Sequence, residues 1–356
     1  MKISIIILLL LAGIIMSSCD PNELVVPEEP KEEEPVDKIF FTGPTGNLYS
    51  IKTDGTNQVR LFDKKEYQFI RFASLSPNGD KVVMNIWSSK TNISSNFILN
   101  VDNNEIKKIE SEISIRNVVW SPDSERMLYS CSEKGLWITS VEDESFIMIG
   151  EGKVNRIIDG KSREVSNIYY SLNFLDNNRI LFAHASYYFY LDGGINWINY
   201  GAYIINDDGS NKRTIVYNTE IIQNLILLST TGKVIYQFFS LSNPEFSRTY
   251  ILDLASEKRK ELAINKHVNF LRSCPKGEKI AYVFFRDGGY NDIYVMNIAN
   301  QTQQLIKTID SYLNDLQFSY CGKKLVYSTW KEIYTINIDG TNNRKIAEGW
   351  MFHRGQ

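Results

Sequence analysis

Three histidines, His184, His267 and His353, are the side chains best suited to acid–base or metal chemistry near neutral pH. No two of them fall in the same unit of the repeat described below, so their spacing offers no metal-ligand cluster. No G-x-S-x-G pentapeptide occurs, which removes the strand–turn–helix elbow of the α/β hydrolases. Acids are plentiful, but Asp54, Asp207 and Asp339 sit in Gly-containing turns, where a carboxylate serves the local backbone N–H groups. Asp287, Asn291 and Asp292 gather three oxygen-bearing side chains, a weak pattern for a cation. The expectation is a chain with no catalytic residues, no metal and no cofactor, hence not an enzyme.

Recognition chemistry is better represented. The stretch 184–201 carries Tyr187, Tyr188, Phe189, Tyr190, Trp197 and Tyr200, and the stretch 150–170 carries Lys153, Arg156, Lys161 and Arg163. Tyr and Trp supply large contact area at low entropic cost and are enriched at interfaces. Tyr187, Tyr188, Tyr190, Trp197, Tyr200, Arg156, Lys161 and Arg163 are therefore the candidate ligand-binding rim. The opposing reading is a self-packed hairpin whose rings cover one another.

What positions these residues is a repeat. A turn recurs around Pro77, Pro122, Leu175, Thr230, Pro275 and Tyr320, and an apolar strand follows each time: "KVVMNIW", "RMLYSCS", "RILFAHA", "KVIYQFF", "KIAYVFF", "KLVYSTW". A second, alternating strand and a hairpin turn follow in turn, as in "DIYVMNIANQTQQLI" (292–306) and "EIYTINIDGTNNRKI" (332–346). A period near 45 residues means a solenoid or a propeller. The predicted fold is all-β: a seven-bladed β-propeller over 38–356, of four-stranded antiparallel blades, closed when a C-terminal strand near Trp350 to His353 joins the first blade. Six blades is the alternative. The period stretches at 150–170, between blades 3 and 4, and at 184–201, within blade 4. Loops of these two kinds open on the same propeller face, so both insertions are expected to meet there.

The units resemble the TolB-type, WD40-like propeller repeat, with its "SPDG"-like turn at Ser76-Pro77-Asn78-Gly79 and Ser121-Pro122-Asp123. The match is weaker at Phe174-Leu175-Asp176 and Ser229-Thr230-Thr231-Gly232, which lack the proline. The resemblance implies protein–protein contacts. A carbohydrate-binding or carbohydrate-processing propeller is the rival expectation.

The first 19 residues, "MKISIIILLLLAGIIMSSC", read as a secretory signal: one Lys2, then an apolar run too short for a confident span. "MSSC" resembles the bacterial lipobox, with Met16 where Leu, Val or Ile is usual, and the resemblance implies acylation of Cys19. Residues 20–37 hold eight acids against Lys31, with prolines throughout, and read as an extended tether. With a net charge of −3 for the whole chain there is no nucleic-acid signal. Three cysteines remain beyond Cys19, an odd count that argues against a disulfide framework. The expected protein is a monomer of the bacterial envelope, attached to a membrane by its N-terminal lipid on the periplasmic or external side, with a protein or glycan partner.

Overall fold

The computed structural model describes residues 37–109, 117–131, 134–143, 145–190, 194–218, 221–228, 231–239, 247–264, 266–286 and 288–352. Cys19, His353 and Asp287, with the signal and nearly all of the tether, lie outside them.

The repeat has a side-chain cause. Where the second strand of a blade pairs with the third, a large residue faces a large residue at one register position: Phe41 opposite Tyr49, Met84 opposite Phe97, Tyr129 opposite Trp137, Phe182 opposite Tyr203. The same position holds Tyr236 opposite Tyr250, Tyr282 opposite Tyr294 and Tyr327 opposite Tyr334. The last two pairs stack at 5.6 and 5.2 Å between ring centroids. Such cross-strand pairs each contribute roughly 0.2–1 kcal/mol and fix the register of the hairpin.

These strands build seven antiparallel sheets. Blade 2 shows the common plan, from the inside outward: Gln68–Leu75, Lys81–Ser88, Ile93–Asn100 and Ile106–Ile109. Blade 1 borrows its inner strand, Trp350–Met351, from the far end of the chain; Met351 pairs with Phe41 and Trp350 with Thr42. Seven apolar clusters lie between neighbouring blades, one of them joining blade 7 to blade 1 through Val326, Ile333, Phe41 and Met351. Seven interfaces for seven blades make a closed ring; an open arc would have six. The clasp is reinforced where Asn314 donates to the Met351 carbonyl (3.1 Å) and Gln317 to that of Phe352 (3.1 Å). Asp37, at the end of the acidic segment, accepts from the Tyr320 N–H at 2.7 Å.

One blade departs from the predicted four strands. Blade 4 has five: Lys153–Ile158, Lys161–Phe174, Arg179–Phe189, Ile195–Asn206 and Arg213–Asn218. The surplus residues of 150–170, expected as a loop, form an additional strand. The cause is local. Asp159 and Gly160 both adopt positive φ, 52° and 73°, the geometry of a tight type I′ hairpin turn that Asp-Gly favours. Cys131, Cys274 and Cys321 are free thiols.

Candidate functional site

In each blade the turn between first and second strands, and that between third and fourth, lie on one face, here the bottom. The turn between second and third strands and the passage to the next blade lie on the other, the top. The bottom turns consume their own polar groups: Asp54 accepts from the Thr56 N–H (2.9 Å) and Asp339 from that of Thr341 (2.9 Å). The hydroxyl of the same threonine donates as well, and the hydroxyl bond first, then the backbone bond, holds each carboxyl below its usual pKa. In blade 4 this role falls to Asp208, not Asp207, which instead pairs with Arg126 of blade 3.

The top face differs. Ten aromatic side chains are strongly exposed among the described residues, and nine of them (all but Tyr320, in a bottom turn) are on the top. Blade 2 contributes Tyr67 and Phe69, with Lys90 and Lys64 over their rings at 5.7 and 5.6 Å. Blade 6 contributes Phe285 and Tyr290, the latter under Arg286. Between them, in blade 4, rises a prong.

The prong is where the two insertions meet, as expected. The upper half of Lys161–Phe174 pairs with the additional strand on one side and with the end of Arg179–Phe189 on the other, Ser166 lying opposite both Lys153 and Tyr187. The Arg163 guanidinium sits 4.9 Å from the ring centre of Tyr188. The predicted rim residues divide by burial. Tyr188 and Tyr200 are 3% and 6% exposed, so they are corrected from contact residues to the prong's own core. Asn196 donates to the Tyr188 hydroxyl at 2.7 Å, satisfying it internally. Tyr187 and Trp197 are half-buried and pack 5.0 Å apart, and Trp197 also stacks on Tyr200. Tyr190 is exposed beside Phe189, which sequence reasoning had noted without placing it in the rim. Arg156 and Lys161 are exposed and Arg163 is half-buried.

At the foot of the prong His184 is buried with Asn167 and Ser186. Its Nε2 is 3.2 Å from Asn167 Oδ1 and 3.2 Å from Ser186 Oγ, and its Nδ1 has no partner. Burial, aided by Lys212 and Arg156, lowers its pKa to about 4. The imidazole is neutral and shielded from solvent, a packing residue stacked on Tyr169 at 4.9 Å. His267 lies apart, in the passage from blade 5 to blade 6. The acids proposed for a cation are engaged: Asp292 accepts from Thr308 (2.6 Å) and pairs with Arg286 (3.0 Å), while Asn291 donates to the Ser311 carbonyl.

A second feature of the top face escaped the sequence. Trp330, in the top turn of blade 7, is 63% exposed and stacks at 5.2 Å on Tyr312, which is 53% exposed. Trp330 borders a cavity of about 1230 Å³ between blades 6 and 7, with Thr308, Tyr334, Glu332 and Lys331 on its walls. Tyr312 is outside that lining and stacks on the indole. Lys345 bridges Glu332 (2.8 Å) and Glu348 (3.0 Å), and its pKa rises to about 12 through those bonds. The available signal was a bulky aromatic in a turn of only Trp330 and Lys331, where turn chemistry favours small polar residues.

No family model matches the chain. Among solved structures it is similar to an oligogalacturonate lyase in complex with manganese, at 10% identity over 91% of this chain and 88% of that one, with a TM-score of 0.61. The GH74 enzyme of Niastella koreensis is similar at 12% identity over 88% of this chain, with a TM-score of 0.62, and this chain spans only 53% of it. TolB from Acinetobacter baumannii matches at 13% identity over 89% of this chain and 80% of that one, with a TM-score of 0.49. These likenesses show the propeller fold. They also correct one expectation. Propellers of this shape occur in enzymes, over nearly the whole length of this chain, so the expectation that the chain is not an enzyme does not stand.

Proposed function

We propose that the protein is a bacterial envelope propeller, held to a membrane by a lipid on Cys19 and spaced from it by the acidic segment 20–37, that captures a partner protein on its top face. The observation that carries this reading is the one-sided distribution of exposed rings, nine of ten on the top. Scattered single aromatics need no explanation, whereas a rim of them marks an interaction surface. Cations over several of these rings add polar anchoring without hiding the aromatic edges.

A glycan is the second reading, favoured by the exposed Trp330 indole in the lining of the cavity between blades 6 and 7. An exposed indole beside the hydroxyl of Thr308, the amide of Asn343 and the carboxylate of Glu332 suits a sugar. The oligogalacturonate lyase is consistent with such a ligand for this fold.

The test compares two variants of the lipidated chain in its own envelope. One replaces Phe189, Tyr190 and Tyr217, the last an exposed ring near the upper end of the outer strand of blade 4, by serine; the other replaces the bottom residue Tyr320. Interface aromatics of the anchoring kind are worth about 2 kcal/mol each, roughly thirtyfold in affinity. Cross-linking and co-purification should recover partners with wild-type and the Tyr320 variant and lose them with the triple variant. Equal recovery from all three would remove the top face from consideration.

A further inference from the structure

The additional strand of blade 4, Lys153–Ile158, pairs only with Lys161–Phe174 among the described residues and ends its sheet. Its register fixes which backbone groups are unused. Around the Asp159–Gly160 turn, Ile158 lies opposite Lys161, Arg156 opposite Arg163 and Val154 opposite Val165. In a two-residue hairpin the closing pair exchanges both hydrogen bonds, and every second pair beyond it does likewise. The alternation continues to Gly152, whose carbonyl accepts from the Asn167 N–H at 2.7 Å. The N–H and C=O groups of Lys153, Asn155 and Ile157 therefore point away from the sheet. All three residues are exposed, Ile157 to 73%.

Sheet edges are normally blunted by proline, a bulge, a covering segment or an unpaired charge. This strand has no proline and no register shift, and its edge lysine, Lys153, is drawn to Glu164 of the neighbouring strand at 3.2 Å. The edge is regular, open and six residues long.

Charge indicates what completes it. Arg156 and Arg163 are directly opposite on one face of the prong, an arrangement that costs stability. No carboxylate is paired with either among the described residues, and Arg163 Nε is buried without an acceptor. Of the two acids of this hairpin, Asp159 is in the turn and in no ion pair with either arginine, and Glu164 is on the other face with Lys153. Arg156 spends its inward hydrogen bonds on Arg163. Toward an incoming antiparallel strand it therefore occupies the non-hydrogen-bonded position, where Cα atoms approach to about 4.5 Å and side chains are closest.

We propose that this edge takes up an extended acidic peptide segment of a partner protein as a sixth strand of blade 4, with a carboxylate beside Arg156. The proposal rests on the reading of the top face as the binding face and names the form in which the partner is held. Main-chain hydrogen bonds to Lys153, Asn155 and Ile157 supply affinity, and the arginine pair supplies selectivity for acid at alternate positions.

The probe is the blocked, fluorescent heptapeptide Thr-Glu-Val-Glu-Val-Glu-Thr, with a Thr-Lys-Val-Lys-Val-Lys-Thr counterpart, titrated by anisotropy against the full chain in mild detergent. Ile157→Pro deletes an outward N–H and no bond inside the sheet, while Ile157→Thr keeps that N–H. The Glu peptide should bind wild type and Ile157→Thr within about threefold of each other, and Ile157→Pro at least about tenfold more weakly. Arg156→Glu should lose the Glu peptide and gain the Lys peptide, a result that stands even where the proline variant fails to fold. Absent binding to wild type, equal binding by the proline and threonine variants, or no preference between peptides overturns the proposal. In the co-purification assay, retained capture by Ile157→Pro alongside lost capture by the triple aromatic variant overturns the strand-addition mode alone. Retained capture by the triple variant overturns the top-face reading itself.

Discussion

His184 gives the protein a stability signature between pH 4 and 6.5. The imidazole is 4% exposed, wedged between Tyr169 and Tyr203 and hydrogen-bonded to Asn167. Burial first, then the cations Lys212 and Arg156, lower its pKa from 6.5 to about 4. In the unfolded chain it regains its ordinary value, so between these limits the unfolded state binds the extra proton. The sign follows: the folded state has its full advantage above pH 6.5 and loses it progressively as pH falls toward 4. A difference of about 2.5 pKa units corresponds to roughly 3 kcal/mol at the acid limit, and to about 2 kcal/mol at pH 5. With a urea m-value of about 3 kcal/mol per molar, the midpoint should drop by roughly 0.7 M between pH 7.5 and 5 from this residue alone. His267, also lowered by burial, adds in the same direction, so the comparison must be with His184→Gln across the same range. The variant should be less sensitive to acid by about 2 kcal/mol at pH 5. Parallel loss in the two proteins would mean that the site admits water and that the foot of the prong is not the closed packing described above.

Two further outcomes test the ring and its attachment. Phe352 is buried between blades 1 and 2, so Phe352→Ala should cost about 3–5 kcal/mol in urea unfolding; a cost below about 1 kcal/mol would show that the clasp does not close the ring. Cys19→Ser should move the protein from the detergent phase to the aqueous phase in a Triton X-114 partition, since a durable anchor needs the acyl chains; retention in detergent would place attachment elsewhere.

The ring was legible because its cause is repeated. Turn, apolar strand, facing aromatic and hairpin recur in nearly every unit, and even Leu175, with no proline in its turn, keeps the period. The prong was legible only as surplus length. Its Asp159–Gly160 turn carried a hairpin signal, but the flanking "KVNRII" and "KSREVS" alternate too weakly to announce strands by themselves. The burial of Tyr188 and Tyr200 was not legible either. Alternation separates Tyr188 and Tyr190 from Tyr187 and Phe189. Which rings are covered depends on Arg163 and Asn196, which reach Tyr188 from other parts of the chain. Tyr312 and Trp330 are brought together by two different top connections, a contact that no local pattern states.

The two faces divide the labour of the fold for a physical reason. On the bottom, turn carboxylates such as Asp54 and Asp339 bond their own backbone, and Ser124 accepts from the Asn78 N–H of the neighbouring blade, so that face helps to hold adjacent blades in register. Hydrogen bonds within their own turns are what lower the pKa of Asp54, Asp208 and Asp339. The top connections carry some such bonds too, as where Asn291 donates to the Ser311 carbonyl, but they differ more in length from blade to blade. The cores between blades already set the ring, which leaves these segments free to vary in length, to expose rings and, in blade 4, to end in an unpaired edge. A surface that presents exposed rings and, in blade 4, outward-pointing backbone donors is one on which an external ligand gains by binding. It follows that substitutions on the top should change binding with little effect on stability, whereas those in the bottom turns should do the reverse.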